Sequence, residues 1–163
     1  MREKVVCNAS PLIFLSKLHR LKLLNNYYLC IPSQVEAEII RGLKNKKEDA
    51  KQIIEYLKSR NIEPAKITVL KDLPNFMGPG ERAVISLAFR ENIERVFIDE
   101  AKARTVARFK GLKPKGTLGI LWDAFKSGML DKESAELLTI ELIQKGYRIK
   151  EEVLVEFLKR IKT

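Results

Sequence analysis

The sequence predicts an α/β fold, a three-layer α/β/α sandwich around a short, mostly parallel sheet of four or five strands. Three observations predict it. Short apolar runs alternate with stretches whose apolar residues recur at three and four, which implies parallel crossovers. Polar residues stand directly after two of the apolar runs, at Asn8 and Asp99. The 163 residues, 45% of them hydrophobic, suffice for a continuous core without disulfide or metal staples.

Each element follows from its own residues. Lys4 to Cys7 reads as a strand closed by Asn8, and Ser10-Pro11 supplies an N-cap and an early proline for a helix toward Leu18. Tyr28 to Ile31 is a second strand, and Pro32-Ser33 opens a helix with Val35, Ile39 and Ile40 inward, ending at Gly42. Lys46 to Arg60 repeats the helical pattern, Ile67 to Leu70 is a third strand candidate, and Pro74 to Pro79 is a loop. Gly80 to Arg90 is helical and Arg95 to Ile98 is a buried strand. Glu100 to Phe109 is a helix, Leu112 to Lys115 a weak last strand, and Thr117–Ser127, Lys132–Lys145 and Lys150–Ile161 are helices. One domain over 1–163 is expected, with the helices from about 132 to 163 completing the outer layer or forming a subunit contact.

Composition narrows the function. The formal net charge is +10, which favours a polyanionic partner. Between Ala101 and Trp122 six cations occur without an acid, directly after Asp99-Glu100, so a basic stripe adjoins carboxylates. Abundant Lys, Arg, Glu and Ile with few Gln point to a thermophilic source. No apolar run approaches a membrane span, and the charged start leads into only two valines, so a cytoplasmic protein is expected. Cys7 and Cys30 lack metal spacing, which removes zinc and favours free thiols. His19 sits in a charged context, and Gly78-Pro79-Gly80 lacks the GxxxxGK spacing of a P-loop. Trp122 and Phe125, three apart, read as core or contact residues rather than a base-stacking platform.

In a parallel sheet, residues at the carboxyl ends of the strands converge in one crevice. Asn8 and Asp99 occupy such ends, although either could equally cap a helix. Glu38 lies one turn into the helix after the second strand and Glu81 opens the helix after the Gly-rich loop; each alone reads as a surface residue favoured by the helix dipole. Together, three carboxylates facing one crevice call for a divalent cation, and oxygen ligands select magnesium or manganese. That predicts metal-assisted phosphoryl chemistry, with the basic stripe holding flanking phosphates.

The segments Val5–Ile13, Ile31-Pro32 with Val35 and Glu38, Gly80-Glu81 with Ile85–Ala88, Phe97–Arg104 and Gly116–Leu121 occur in an order that resembles the PIN-domain ribonucleases. Within them the chain is similar to an archaeal and bacterial branch of predicted nucleic-acid-binding proteins. The resemblance covers residues 5 to about 148. It implies a parallel α/β/α fold and endonucleolytic cutting of single-stranded RNA with magnesium or manganese. It also implies a homodimer and, in many members, a toxin held by a small antitoxin. Carried across, Asn8 stands at the first acid, Glu38 at the second, Glu81 at the third, and Asp99 or Glu100 at the fourth, with Asp99 favoured. Ser10 matches the hydroxyl that orients the first acid, and Lys102, Arg104, Arg108, Lys113 and Lys115 would guide RNA. An amide at Asn8 carries no charge, so the alternative reading is a nucleic-acid-binding or regulatory member with weak or absent catalysis.

Overall fold

The computed structural model describes residues 2–45 and 47–163. Four short strands form its sheet: β1 (Glu3–Cys7), β2 (Tyr27–Cys30), β3 (Arg95–Phe97) and β4 (Lys113–Lys115). All pairings are parallel and the order is β2-β1-β3-β4. The centre reads as continuous apolar sequence because both its faces are covered. Val5, Val6, Cys7, Val96, Phe97 and Ile98 are fully buried.

Eight α-helices complete the described residues: α1 (Ala9–Lys17), α2 (Ser33–Lys44), α3 (Glu48–Ser59), α4 (Pro79–Glu91), α5 (Ala101–Phe109), α6 (Thr117–Lys126), α7 (Lys132–Gln144) and α8 (Glu151–Lys162). Helices α1, α2 and α3 pack on one another, and α4 lies on α2 and β1. A 3-10 turn over Leu21–Asn26, which periodicity does not signal, joins α1 to β2. The expected helical start at Lys46 lies outside the described residues. None of the described helices is long and apolar enough to cross a membrane.

Two expectations are corrected. Ile67 to Leu70 is not a strand. Among the described residues its neighbourhood makes one isolated parallel bridge, between Pro32 and Ala65 beyond the end of β2, and side chains then take over from a backbone ladder. Gln34 Nε2 donates to Ile67 O (3.1 Å), Arg90 donates to Lys66 O (3.2 Å), and Leu70 N donates to Ser86 Oγ (2.9 Å). The segment's hydrogen bonds go to helix side chains rather than to a neighbouring strand. The second correction concerns the first helix, whose N-cap is Asn8 and not Ser10. That shift releases the Ser10 hydroxyl for a partner 89 residues away.

Both thiols are free, Cys7 buried and Cys30 half-buried. Trp122 stacks obliquely with Phe125 and edge-on with Phe157, so the aromatic pair serves α6–α8 packing. His19 is exposed with φ of 57°, where it ends the first helical segment in the left-handed region.

Candidate active site

The connection from β1 to β2 runs to one side of β1, and the chain later returns to the other side as β3. The crevice at the carboxyl ends of β1 and β3 is therefore the topological switch point, where open α/β sheets bind ligands. Asn8 and Asp99 leave those two ends. Asn8 N donates to Phe97 O at 3.0 Å, which extends the β1–β3 register by one rung and fixes where the amide side chain departs.

Asn8 is 6% exposed, and its Oδ1 is buried without a hydrogen-bond partner among the described residues. A buried amide oxygen in that state costs free energy on the order of 1–3 kcal/mol. The oxygen lies against the start of α4, where a Cβ on Gly80 would stand only 2.7 Å from it. Glycine at 80 is thus what lets the first turn of α4 approach the end of β1.

Asp99 has the opposite condition. Its Oδ2 accepts from Ser10 Oγ at 2.7 Å and Thr117 Oγ1 at 2.8 Å, and its Oδ1 from Thr117 N at 2.6 Å and Tyr147 OH at 3.1 Å. An ionised carboxylate offers about four lone-pair sites, so the protein itself supplies a full set of donors. Burial and the Asp99 charge push the Tyr147 phenol far above its usual range, keeping it a donor. Burial first, and Asp99 second, likewise raise the Cys7 thiol.

Glu38 and Glu81 come together through the packing of α2 on α4. Burial raises the Glu38 carboxyl above its usual range, the Glu81 charge raises it further, and Arg41 partly opposes both. Glu81 lies in the first turn of α4, where the helix dipole favours a negative charge. Glu100 turns instead to its own helix: it is the N-cap of α5, and its Oε2 accepts from Ala103 N at 2.7 Å.

The structure thus assembles two pairs, Glu38 with Glu81 and Ser10 with Asp99, with Asn8 at the strand end between the start of α4 and β3. Among the described residues no three His, Cys, Asp or Glu side chains converge closely enough to hold a metal ion. Asp99 is instead engaged by four hydrogen bonds from the protein. The donor chemistry nonetheless fits magnesium or manganese, which take hard oxygen ligands and often only one or two carboxylates besides water. Two neighbouring glutamates and an unpaired amide oxygen are such donors.

The basic stripe is less free than its local sequence suggests. Lys110 pairs with Asp72, Lys113 with Glu94 at 3.1 Å, and Lys115 with Asp123. Arg104 donates to the backbone carbonyls of Asp99 and Ile98, and Lys102 lies 5.9 Å from the Phe76 ring centroid. Arg108 is exposed. Sequence reasoning missed Thr117 and Tyr147 as partners of Asp99. Thr117 had a signal, since Gly116-Thr117 opens a helix directly after a strand and so faces the same crevice. Tyr147 had none, because its contact with Asp99 spans 48 residues.

A family model described as a PIN domain matches residues 4–163. Comparison with curated proteins and with solved structures gives no match. PIN domains are generally nucleases that bind nucleic acid, and they typically use divalent metals. A match over nearly the whole chain, on an all-parallel sheet whose switch point carries Asn8 and Asp99, shows that the chain belongs to the PIN-domain family.

Proposed function

We propose that the chain is a magnesium- or manganese-dependent endoribonuclease acting on single-stranded RNA. The carrying observation is the Glu38–Glu81 pair beside a buried Asn8 Oδ1 that no donor among the described residues satisfies. Like charges and an orphaned acceptor are costly in isolation and are relieved by one cation. Glu38, Glu81 and Asn8 would hold the ion, and Asp99 contributes a further negative charge nearby. When bound, the ion supplies a Lewis acid for a phosphate oxygen and lowers the pKa of an attacking water. Ser10 and Thr117 hold the Asp99 carboxylate in one orientation, and Arg104 and Arg108 border the site with positive charge.

One observation favours a second reading. Asn8 is neutral and Asp99 is fully engaged, a combination suited to a nucleic-acid-binding protein with little catalysis. Incubation of single-stranded RNA with the protein in manganese separates the two. The nuclease reading expects cleavage that disappears in Glu81→Gln and increases about tenfold in Asn8→Asp, as an added ligand charge tightens the ion. RNA that stays intact with both wild type and Asn8→Asp, while still bound, leaves the binding protein.

A further inference from the structure

A cleft of about 690 Å³ opens beside Asp99, between α5 and the loop joining α7 to α8. Five cations line it. Arg104 and Arg108 stand on the α5 side, Lys115 at the end of β4, and Arg148 and Lys150 on the loop. Its floor is partly bare backbone: a Cβ on Gly116 would lie 2.9 Å from Asp99 Oδ1 and 3.1 Å from Tyr147 OH.

The two walls differ in how far their charges are already used. Arg104 and Lys115 are committed to the Asp99 carbonyl and to Asp123. Arg148 and Lys150 are exposed and form no ion pair among the described residues. Their loop is anchored at one point by the Tyr147 hydroxyl on Asp99 and by the Tyr147 ring, which meets Phe14 edge-on at 5.1 Å. Two cations separated by one residue are thereby held opposite the α5 arginines. Asp99 and Glu100 also border the cleft, but each accepts hydrogen bonds from the protein, which reduces their repulsion of an anion. A row of cations on both sides of an open trough matches a repeating charge better than a single phosphate.

We propose that this cleft grips the phosphodiester backbone of single-stranded RNA, with Arg148 and Lys150 as its principal contacts and Tyr147 as the residue that positions them. The inference rests on the RNA-directed reading above and assigns that function a second wall, contributed by the C-terminal part of the chain.

The test is RNA binding without metal. A fluorescent uridine oligonucleotide is titrated in EDTA over a range of salt with wild type, with Arg148→Ala/Lys150→Ala, and with Lys51→Ala/Lys58→Ala. The last removes the same charge from exposed positions on α3, outside the cleft. The cleft pair should weaken binding about tenfold at low salt and flatten the log–log salt slope by about 1.4, at roughly 0.7 per phosphate contact on a single strand. The α3 pair should keep the wild-type values, and thermal unfolding should show both variants folded. Equal losses in the two variants, wild-type binding by the cleft pair, or no binding by wild type at low salt would each overturn the proposal. Cleavage in manganese is scored separately. Intact RNA with wild type, alongside the expected binding pattern, defeats the nuclease reading and leaves the cleft.

Discussion

Tyr147 and Asp99, 48 residues apart, are joined by a 3.1 Å hydrogen bond from phenol to carboxylate. It ties the loop before the last helix to the residue that follows a central strand. Replacing Tyr147 by Phe keeps the ring against Phe14 and removes one donor from Asp99. The expected loss is about 1.5–3 kcal/mol in denaturant unfolding, as for other hydrogen bonds to charged groups. The pH dependence has a definite sign. The folded phenol is raised above its ordinary value near 10, so the unfolded chain releases this proton first. The stability Tyr147 contributes is complete below about pH 10 and falls as pH rises beyond it. Tyr147→Phe should show a shallower alkaline decline.

Glu38 titrates high because it is buried and because Glu81 is near. A carboxyl raised in the folded state contributes stability that is present below its unfolded pKa and lost as pH rises through the folded value. Metal-free protein should therefore lose some stability as pH rises above about 4.5. Glu81→Gln should lose less, by on the order of 0.5 kcal/mol. Adding manganese should raise the Tm of the wild type at neutral pH and raise that of Glu81→Gln less. Thermal unfolding in EDTA and in manganese checks both, and equal metal response in the two proteins would remove Glu81 from the site.

Ser86, 1% exposed in α4, accepts from Leu70 N at 2.9 Å and donates to Arg82 O at 2.7 Å. Ser86→Ala leaves the Leu70 amide without that partner and should cost about 1–3 kcal/mol. Faster hydrogen exchange at Leu70 than elsewhere would locate the effect.

Gly80→Ala sets a methyl group 2.7 Å from Asn8 Oδ1. Either the amide rotates or α4 retreats, at a cost of about 1–3 kcal/mol from overpacking. Denaturant unfolding measures that cost, and NMR shifts at Asn8 show which element moved. Unchanged stability together with an unchanged Asn8 spectrum would contradict the close approach.

Much of the fold was legible because strand and helix periods differ and because the central strands are apolar on both faces. Val5 to Cys7 and Val96 to Ile98 admit little else. The failure at Ile67 to Leu70 was one of partnership. An extended, alternating segment looks like a strand whether its amides meet another backbone or, as here, Gln34, Ser86 and Arg90. At the site, local sequence located Asn8 and Asp99 at strand ends, Glu81 in the first turn of one helix and Glu38 one turn into another. It could not show that Asp99 would be saturated by Ser10, Thr117 and Tyr147. Nor could it show that Lys110, Lys113 and Lys115 would find acids outside their own stretch. Charge counted along the chain overlooks partners that folding brings from elsewhere.

The strand order also bears on how the molecule comes into being. Strand β1 takes a central place, yet its second neighbour, residues 95–97, is made some ninety residues later. Until then one side of residues 3–7 offers unpaired amides and carbonyls to any passing chain, the template on which aggregation begins. Nascent protein truncated before residue 95 should therefore depend on chaperones that the finished chain no longer needs.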